Sequence, residues 1–312
     1  MGPITSMKRV VSVSLGSPKG DFSATTTILG QEIEVSRIGT NGDLKKYAEL
    51  MRELDGKVDA IGLGGIDLYL CAGTHRYTIR DAAKLAANAE ITPVVDGSGL
   101  KNTLERETFE YIQRQGITDF SDKNILVVCG VDRFGMAESA ARLAQSVVFG
   151  DLMFNCGIPI PIRSYGGLMF VARTLLPIVC RLPFKWIYPT GKKQEEATPK
   201  HENYFRWADV IAGDNKIIGR FMPPPESDAL KGKLVITNTL TAEEIENLRA
   251  RGVKTLVTGT WEIEGLGGRT PGTNVIEGIL IALSGRRPQE MTPDDYLDLL
   301  RQLDWKPTVR QM

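Results

Sequence analysis

The sequence predicts an α/β protein of two Rossmann-like, doubly wound lobes with a cleft between them, and three observations predict it. Short β-branched or apolar runs recur along the chain, each closed by a Gly, Asp, Asn or Ser turn and mostly followed by a segment of helical period, which is the alternation of parallel βα units. The 312 residues exceed what one hydrophobic core usually serves. A polar connection at 118–123 divides the alternation into two parts. The alternative is a closed (β/α)8-type barrel, which about nine such units would also suit.

In the first part, strands are expected at 9–14, 33–38, 58–63 and 92–95, and helices at 44–54, 79–88 and 100–115. The second part opens with a buried strand at 124–129 and its helix at 136–145, followed by strands at 147–149, 210–212, 234–237 and 255–258. Thr241 and Glu244 have capping-box spacing for a helix that stops before Gly252. Thr292, Pro293 and two aspartates open a last amphipathic helix. The division expected is a first lobe at 7–120, a second at 121–285, and a C-terminal helix and tail at 286–312.

Lys plus Arg and Asp plus Glu both number 38, so no overall field draws the chain to nucleic acid or to an anionic membrane. Cys71, Cys129, Cys156 and Cys180 lack CxxC spacing, and only His75 and His201 could join them around a metal. Reduced thiols and no metal centre are expected. Residues 1–6, ahead of Met7, lack the apolar core of a secretory leader, and Arg163, Arg173, Arg181 and Lys185 interrupt the most apolar stretch before it could span a bilayer. A cytoplasmic protein with a small anionic metabolite as partner is the expectation. Association into a homo-oligomer is left open.

In parallel βα units, ligands sit beyond the carboxyl ends of the strands. The sharpest candidate there is the run 93–103, in which Asp96, Gly97, Ser98 and Gly99 form a small-residue turn into a helix carrying Lys101, Asn102 and Thr103. Glycines let a backbone approach an anion, and a lysine adds charge, whereas the plainer reading is a capped turn. Gly130, Asp132 and Gly135 follow the strand at 124–129 with the spacing of a dinucleotide fingerprint whose middle glycine has become aspartate. Arg133 beside it could compensate the charge, and an ordinary strand-to-helix turn is the alternative. Asp67, after Gly64 and Gly65, delivers a carboxylate to another strand end, and Asp151 and Asp214 repeat the Gly-Asp arrangement. The segment 152–194 holds six basic residues and no acid. Its heads either line an anion pocket, with Lys192 and Lys193 in the turn best suited, or snorkel from a buried helix. Asn238, the run 270–274 and His75 are read as caps or solvated loop residues that could also meet a ligand.

The runs VVSVSLGS, NGDLKKYAELMRELDGKVDAIGLGGIDLY, PVVDGSGLKNTLE, VDRFGMAE, FGDLMF and YPTGKKQ resemble those of bacterial quinate 5-dehydrogenase-like proteins, from Met7 to the 280s. The resemblance implies a substrate lobe and a nicotinamide lobe, with NAD or NADP on the second and a quinate- or shikimate-type substrate in the cleft. It implies substrate serines at Ser12 and Ser14, a cleft position for Asn102 and Thr103, and a nicotinamide loop at Gly130, Asp132 and Gly135. The lysine–aspartate catalytic pair of those enzymes has no motif match. In the dehydrogenase reading, Lys101, Asp67 and Asp96 are the candidate proton-handling residues, and Ser98 and Gly99 join the substrate contacts. The other readings are a non-redox enzyme or sensor for an anionic metabolite and, last, a peripheral membrane or partner-binding protein.

Overall fold

The computed structural model describes residues 6–73, 75–183, 197–261, 263 and 270–312. The chain runs through β1 (Lys8–Ser14), β2 (Phe22–Ile28), β3 (Gln31–Gly39), α1 (Leu44–Leu54), β4 (Ala60–Gly64), β5 (Tyr69–Ala72), β6 (His75–Thr78), α2 (Arg80–Ala86), β7 (Val94–Val95) and α3 (Ser98–Arg114). It continues through β8 (Asn124–Val127), α4 (Phe134–Leu143), β9 (Ser146–Phe149), α5 (Tyr165–Val179), α6 (Glu202–Trp207), β10 (Val210–Ala212), α7 (Asn215–Phe221), β11 (Leu234–Thr237), α8 (Ala242–Ala250), β12 (Thr255–Thr258), α9 (Thr273–Ser284), α10 (Pro293–Gln302) and β13 (Thr308–Gln311).

Among the described residues the strands form two open, mostly parallel sheets and one hairpin, so the barrel alternative is excluded. The first sheet has the order β2-β3-β1-β4-β7, with only β2 antiparallel. The second has the order β13-β12-β11-β10-β8-β9, with only β13 antiparallel. In each, the order reverses beside the first strand of its lobe, between β1 and β4 and between β8 and β10. A doubly wound sheet opens its crevice at such a point.

Local chemistry explains the elements. Asp43 accepts from the Lys45 and Lys46 amides to start α1, which buries Tyr47 and Met51 four residues apart. The Thr241–Glu244 capping box closes at both bonds. The strands β4, β8 and β11 are buried along most of their length and read as near-continuous apolar runs, as helix-covered parallel sheets require, while β1 is buried but sets Ser12 and Ser14 among its valines.

The edge strands β2 and β13 and the hairpin β5–β6, which takes in His75, are additions to the sequence expectation. Alternating polar residues in FSATTTI leave β2 half solvated, so it lacks the apolar signature of the inner strands. The helix α9, which the sequence reading puts in the second lobe, packs on β1 and β4 of the first, where Val275, Ile276 and Ile279 join Val10, Ile33 and Ala60 in one core. The chain therefore crosses between the lobes twice, outward along α3 and back into α9.

Arg163, Arg173 and Arg181 point to solvent, while Leu168, Ala172 and Leu176 form the buried stripe of α5. Lys185, Lys192 and Lys193 lie outside the described residues. Among the described residues no helix is long and apolar enough to cross a membrane, no group of His, Cys, Asp and Glu could hold a metal ion, and all four cysteines are free thiols.

Candidate active site in the cleft between the lobes

The carboxyl ends of both sheets face one another across α3. Gly97, at φ 93°, makes the sharp turn from β7 into this helix, and a Cβ there would lie 2.9 Å from the Asn274 amide nitrogen. The turn places Lys101 one helical turn into α3, in the cleft. Its ammonium donates to Asp132 of the second lobe at 2.6 Å and lies 3.5 Å from Asp67 of the first. The Gly97–Thr103 and Gly64–Asp67 loops thus share one site. Asp96 also ties them, accepting from the Leu68 and Tyr69 amides at 2.6 and 3.0 Å.

Arg133 is the second cation of this cluster. Its guanidinium reaches Asp214 at 2.5 Å, Asp132 at 3.2 Å and Glu105 at 3.3 Å. It thereby bridges the loops after β8 and β10, at the reversal of the second sheet. Asn238, after β11, donates to Asp214 at 2.9 Å and accepts from the Asn215 amide. A void of about 10 Å³ among Lys101, Glu105, Arg133, Asn238 and Thr260 is the size of one water.

Burial and Arg133 pull the Lys101 pKa down, but Asp132, Asp67 and Glu105 outweigh them and hold it above its ordinary value. Lys101 is therefore an ammonium at neutral pH. Burial alone would raise the Asp132 carboxyl, yet Lys101 and Arg133 pull it below the usual range. Glu105 is pushed up by burial despite Arg133. Two cations thus face four carboxyl groups, an excess of acid that suits a hydroxyl at Lys101 better than a second anion.

The other expected site residues divide sharply. Ser12 accepts from the Asn274 side chain at 2.8 Å, and Ser14 accepts from Arg37 at 2.9 Å. Asp96 spends its oxygens on three amides, those of Leu68, Tyr69 and Ser98, so it is a turn-holding residue rather than a proton acceptor. Gly99 lies where a Cβ would strike Glu277 and Tyr296, and Thr103 is buried. Asn102 caps α4 by accepting from the Gly135 amide at 3.2 Å.

The fingerprint loop at Gly130–Gly135 is filled by the chain's own acids. Asp151, at the end of β9, accepts from the Gly130 and Val131 amides at 2.9 and 2.8 Å, and Glu105 accepts from the Met136 amide at 3.2 Å. A Cβ at Gly135 would lie 2.4 Å from the Asn102 carbonyl oxygen, so this glycine serves the close approach of α3 and α4. The amides that a dinucleotide pyrophosphate would use are already bonded. As folded, the loop does not fit that group unless the Asp151 carboxylate leaves it.

Burial raises the Asp151 pKa to about 6 even though the two amides lower it. A carboxyl raised in the native state binds more protons there than when unfolded, so its contribution to stability falls as pH rises from about 4 to about 6. Asp151→Asn should flatten that part of the stability curve, read by urea unfolding at half-unit pH steps. A slope identical to that of the wild type would refute the assignment.

Glu105, Glu277 and Tyr296 escape the sequence reading as site residues. Glu277 accepts from the Gly97 amide at 2.6 Å and from the Tyr296 hydroxyl at 2.7 Å. Burial, with Asp96 nearby, raises its pKa to about 7. The signal available is a lone acid within an apolar helix, TNVIEGILIALS.

A family model described as a domain of unknown function (DUF8754) matches residues 99–312, and a second such model (DUF8753) matches residues 9–96. No curated protein matches the sequence. Similar solved structures include a sugar ABC transport substrate-binding protein from Bordetella parapertussis, at 11% identity over 99% of this chain and 92% of that one, with a TM-score of 0.38. An NAD-dependent malic enzyme from Thermotoga maritima has 12% identity over 95% and 84%, with a TM-score of 0.36. A dipicolinate synthase from Bacillus halodurans has 16% identity over 89% and 97%, with a TM-score of 0.29. At such TM-scores it is the residues of the cleft that bear on chemistry.

Proposed function

The chain belongs to the DUF8754 family, and from that premise we propose that it is an enzyme acting on a hydroxyl group of a small hydroxylated carboxylate of quinate or shikimate type, held in the interlobe cleft. The supporting observation is Lys101, buried between Asp67 of one lobe and Asp132 of the other. Its raised pKa makes it a donor, so it stabilises an alkoxide rather than accepting the proton. Asp67, within 3.5 Å of the Lys101 ammonium and about a quarter exposed, is the acceptor of the substrate proton in this reading. The acid excess orients the substrate with its hydroxyl toward Lys101 and its carboxylate away from it.

NAD or NADP would supply the hydride acceptor for an oxidation, but the Gly130–Gly135 loop, its amides held by Asp151, does not fit a dinucleotide as folded, so no redox step is assigned to it. The Asp151-filled loop favours the second reading, a non-redox enzyme or sensor for the same class of metabolite. Calorimetry with quinate, shikimate, NAD and NADP on the wild type and on Asp151→Gly separates them. Cofactor binding by the wild type supports the oxidoreductase. Hydroxy-acid binding without cofactor binding by either protein supports the second reading. Failure of both hydroxy acids to bind in any combination overturns the proposal.

A further inference from the structure

A groove of about 320 Å³ runs along the outer edge of the first sheet, and none of Lys101, Asp67 and Asp132 lines it. Its floor is the edge strand β7. The Ile61 amide donates to the Pro93 carbonyl at 2.9 Å, and Val95 pairs with Gly62. A parallel ladder engages the backbone groups of alternate residues, so the N–H and C=O of Val94, which lines the groove, face outward from the sheet. Ala83, Ala86 and Ala87 form an apolar wall on the α2 side.

Two guanidinium groups line the same groove, Arg76 and Arg287. Arg76 lies over the Tyr69 ring at 4.7 Å, and its charge also reaches the Glu277 carboxyl. Among the described residues neither arginine has a carboxylate within ion-pair distance. The nearby acids are otherwise engaged: Asp96 holds three amides, and Glu277 is bonded to the Gly97 amide and the Tyr296 hydroxyl. Glu90 is exposed at the rim.

We propose that this groove is a second ligand site, which binds a small N-acylated amino acid. Arg76 and Arg287 take its carboxylate. The outward carbonyl of Val94 accepts from the N–H of its single amide. The alanine wall takes an apolar side chain. A volume near the lower end of ligand clefts suits a molecule of that size.

N-Acetyl-L-leucine is the probe, with N-acetyl-L-leucinamide lacking the carboxylate and 4-methylpentanoate lacking the amide. Titration followed by amide NMR should show N-acetyl-L-leucine binding with a shifted Val94 resonance, and each truncated probe binding at least tenfold more weakly. Arg76→Gln with Arg287→Gln should weaken binding at least tenfold, and Ala86→Phe should abolish it by filling the groove. The arginine pair is exposed and keeps the test valid if the phenylalanine variant fails to fold. Lys101→Met should leave this binding unchanged, which separates the groove from the cleft. Equal binding of the amide and the acid, an unshifted Val94, or full binding by Ala86→Phe with its melting temperature retained would overturn the proposal.

Discussion

Arg133→Met should destabilise the fold by about 3–5 kcal/mol at pH 7, the usual cost of removing one partner from a buried ionic cluster. The side chain is 9% exposed, and its loss strands Glu105 and Asp214 in a low-dielectric site, with Asp132 left to Lys101 alone. The deficit should shrink at pH 5, because stranded carboxyl groups relieve their burial by taking up protons. Glu105→Gln on its own should cost far less, since burial already pushes that carboxyl up. Combined with Arg133→Met it should recover part of the loss. Urea unfolding of the two single variants and the double variant at both pH values checks this, and a pH-independent loss would show that Arg133 acts through packing alone.

Lys101→Met should lower turnover of the hydroxylated substrate by a factor of about 100 to 10,000, the range for a positioned proton-handling group, and weaken binding of quinate or shikimate. The stem keeps the packing of α3, but removing a buried ammonium from the cluster should lower the melting temperature too, by less than in the Arg133 variant because Asp67 and Asp132 are each about a quarter exposed. The loss of an ammonium leaves Asp67 and Asp132 facing each other across the cleft. Asp132 still has Arg133, but Asp67 loses a 3.5 Å cation. Unchanged turnover and unchanged binding would remove Lys101 from the chemistry.

Much of this arrangement is legible in residue order. Helix α1 falls at 44–54 as its period predicts, and the buried strands β8 and β11 announce themselves as apolar runs. That the loops carrying Asp67 and Lys101 share one cleft follows from the rule of strand ends alone. The partners cannot be read: nothing in the spacing of Asp132 says that its carboxylate turns from a pyrophosphate position to Lys101 on another element. Nor does Gly150-Asp151 say that its carboxylate enters the loop of the preceding unit, because that depends on the pitch of neighbouring strands. Asp96 shows the reverse error. Its place in a glycine-rich turn suggests chemistry, and three amide bonds make it structural. The return of α9 to the first sheet is hidden because an apolar helix fits either lobe equally well by period.

That return sets an order of assembly. The face of β1 and β4 that Val275, Ile276 and Ile279 cover stays open until those residues leave the ribosome, whereas the strands from β8 to β12 are complete some fifteen residues earlier. During synthesis the lobe translated first thus waits for the parallel strands of the second sheet before its own core is covered, carrying a bare apolar face through most of elongation, and only the edge strand β13 joins the second sheet later. A nascent chain stalled before residue 273 should hold the parallel strands of the second sheet already present and a first lobe whose β1–β4 face is still bare.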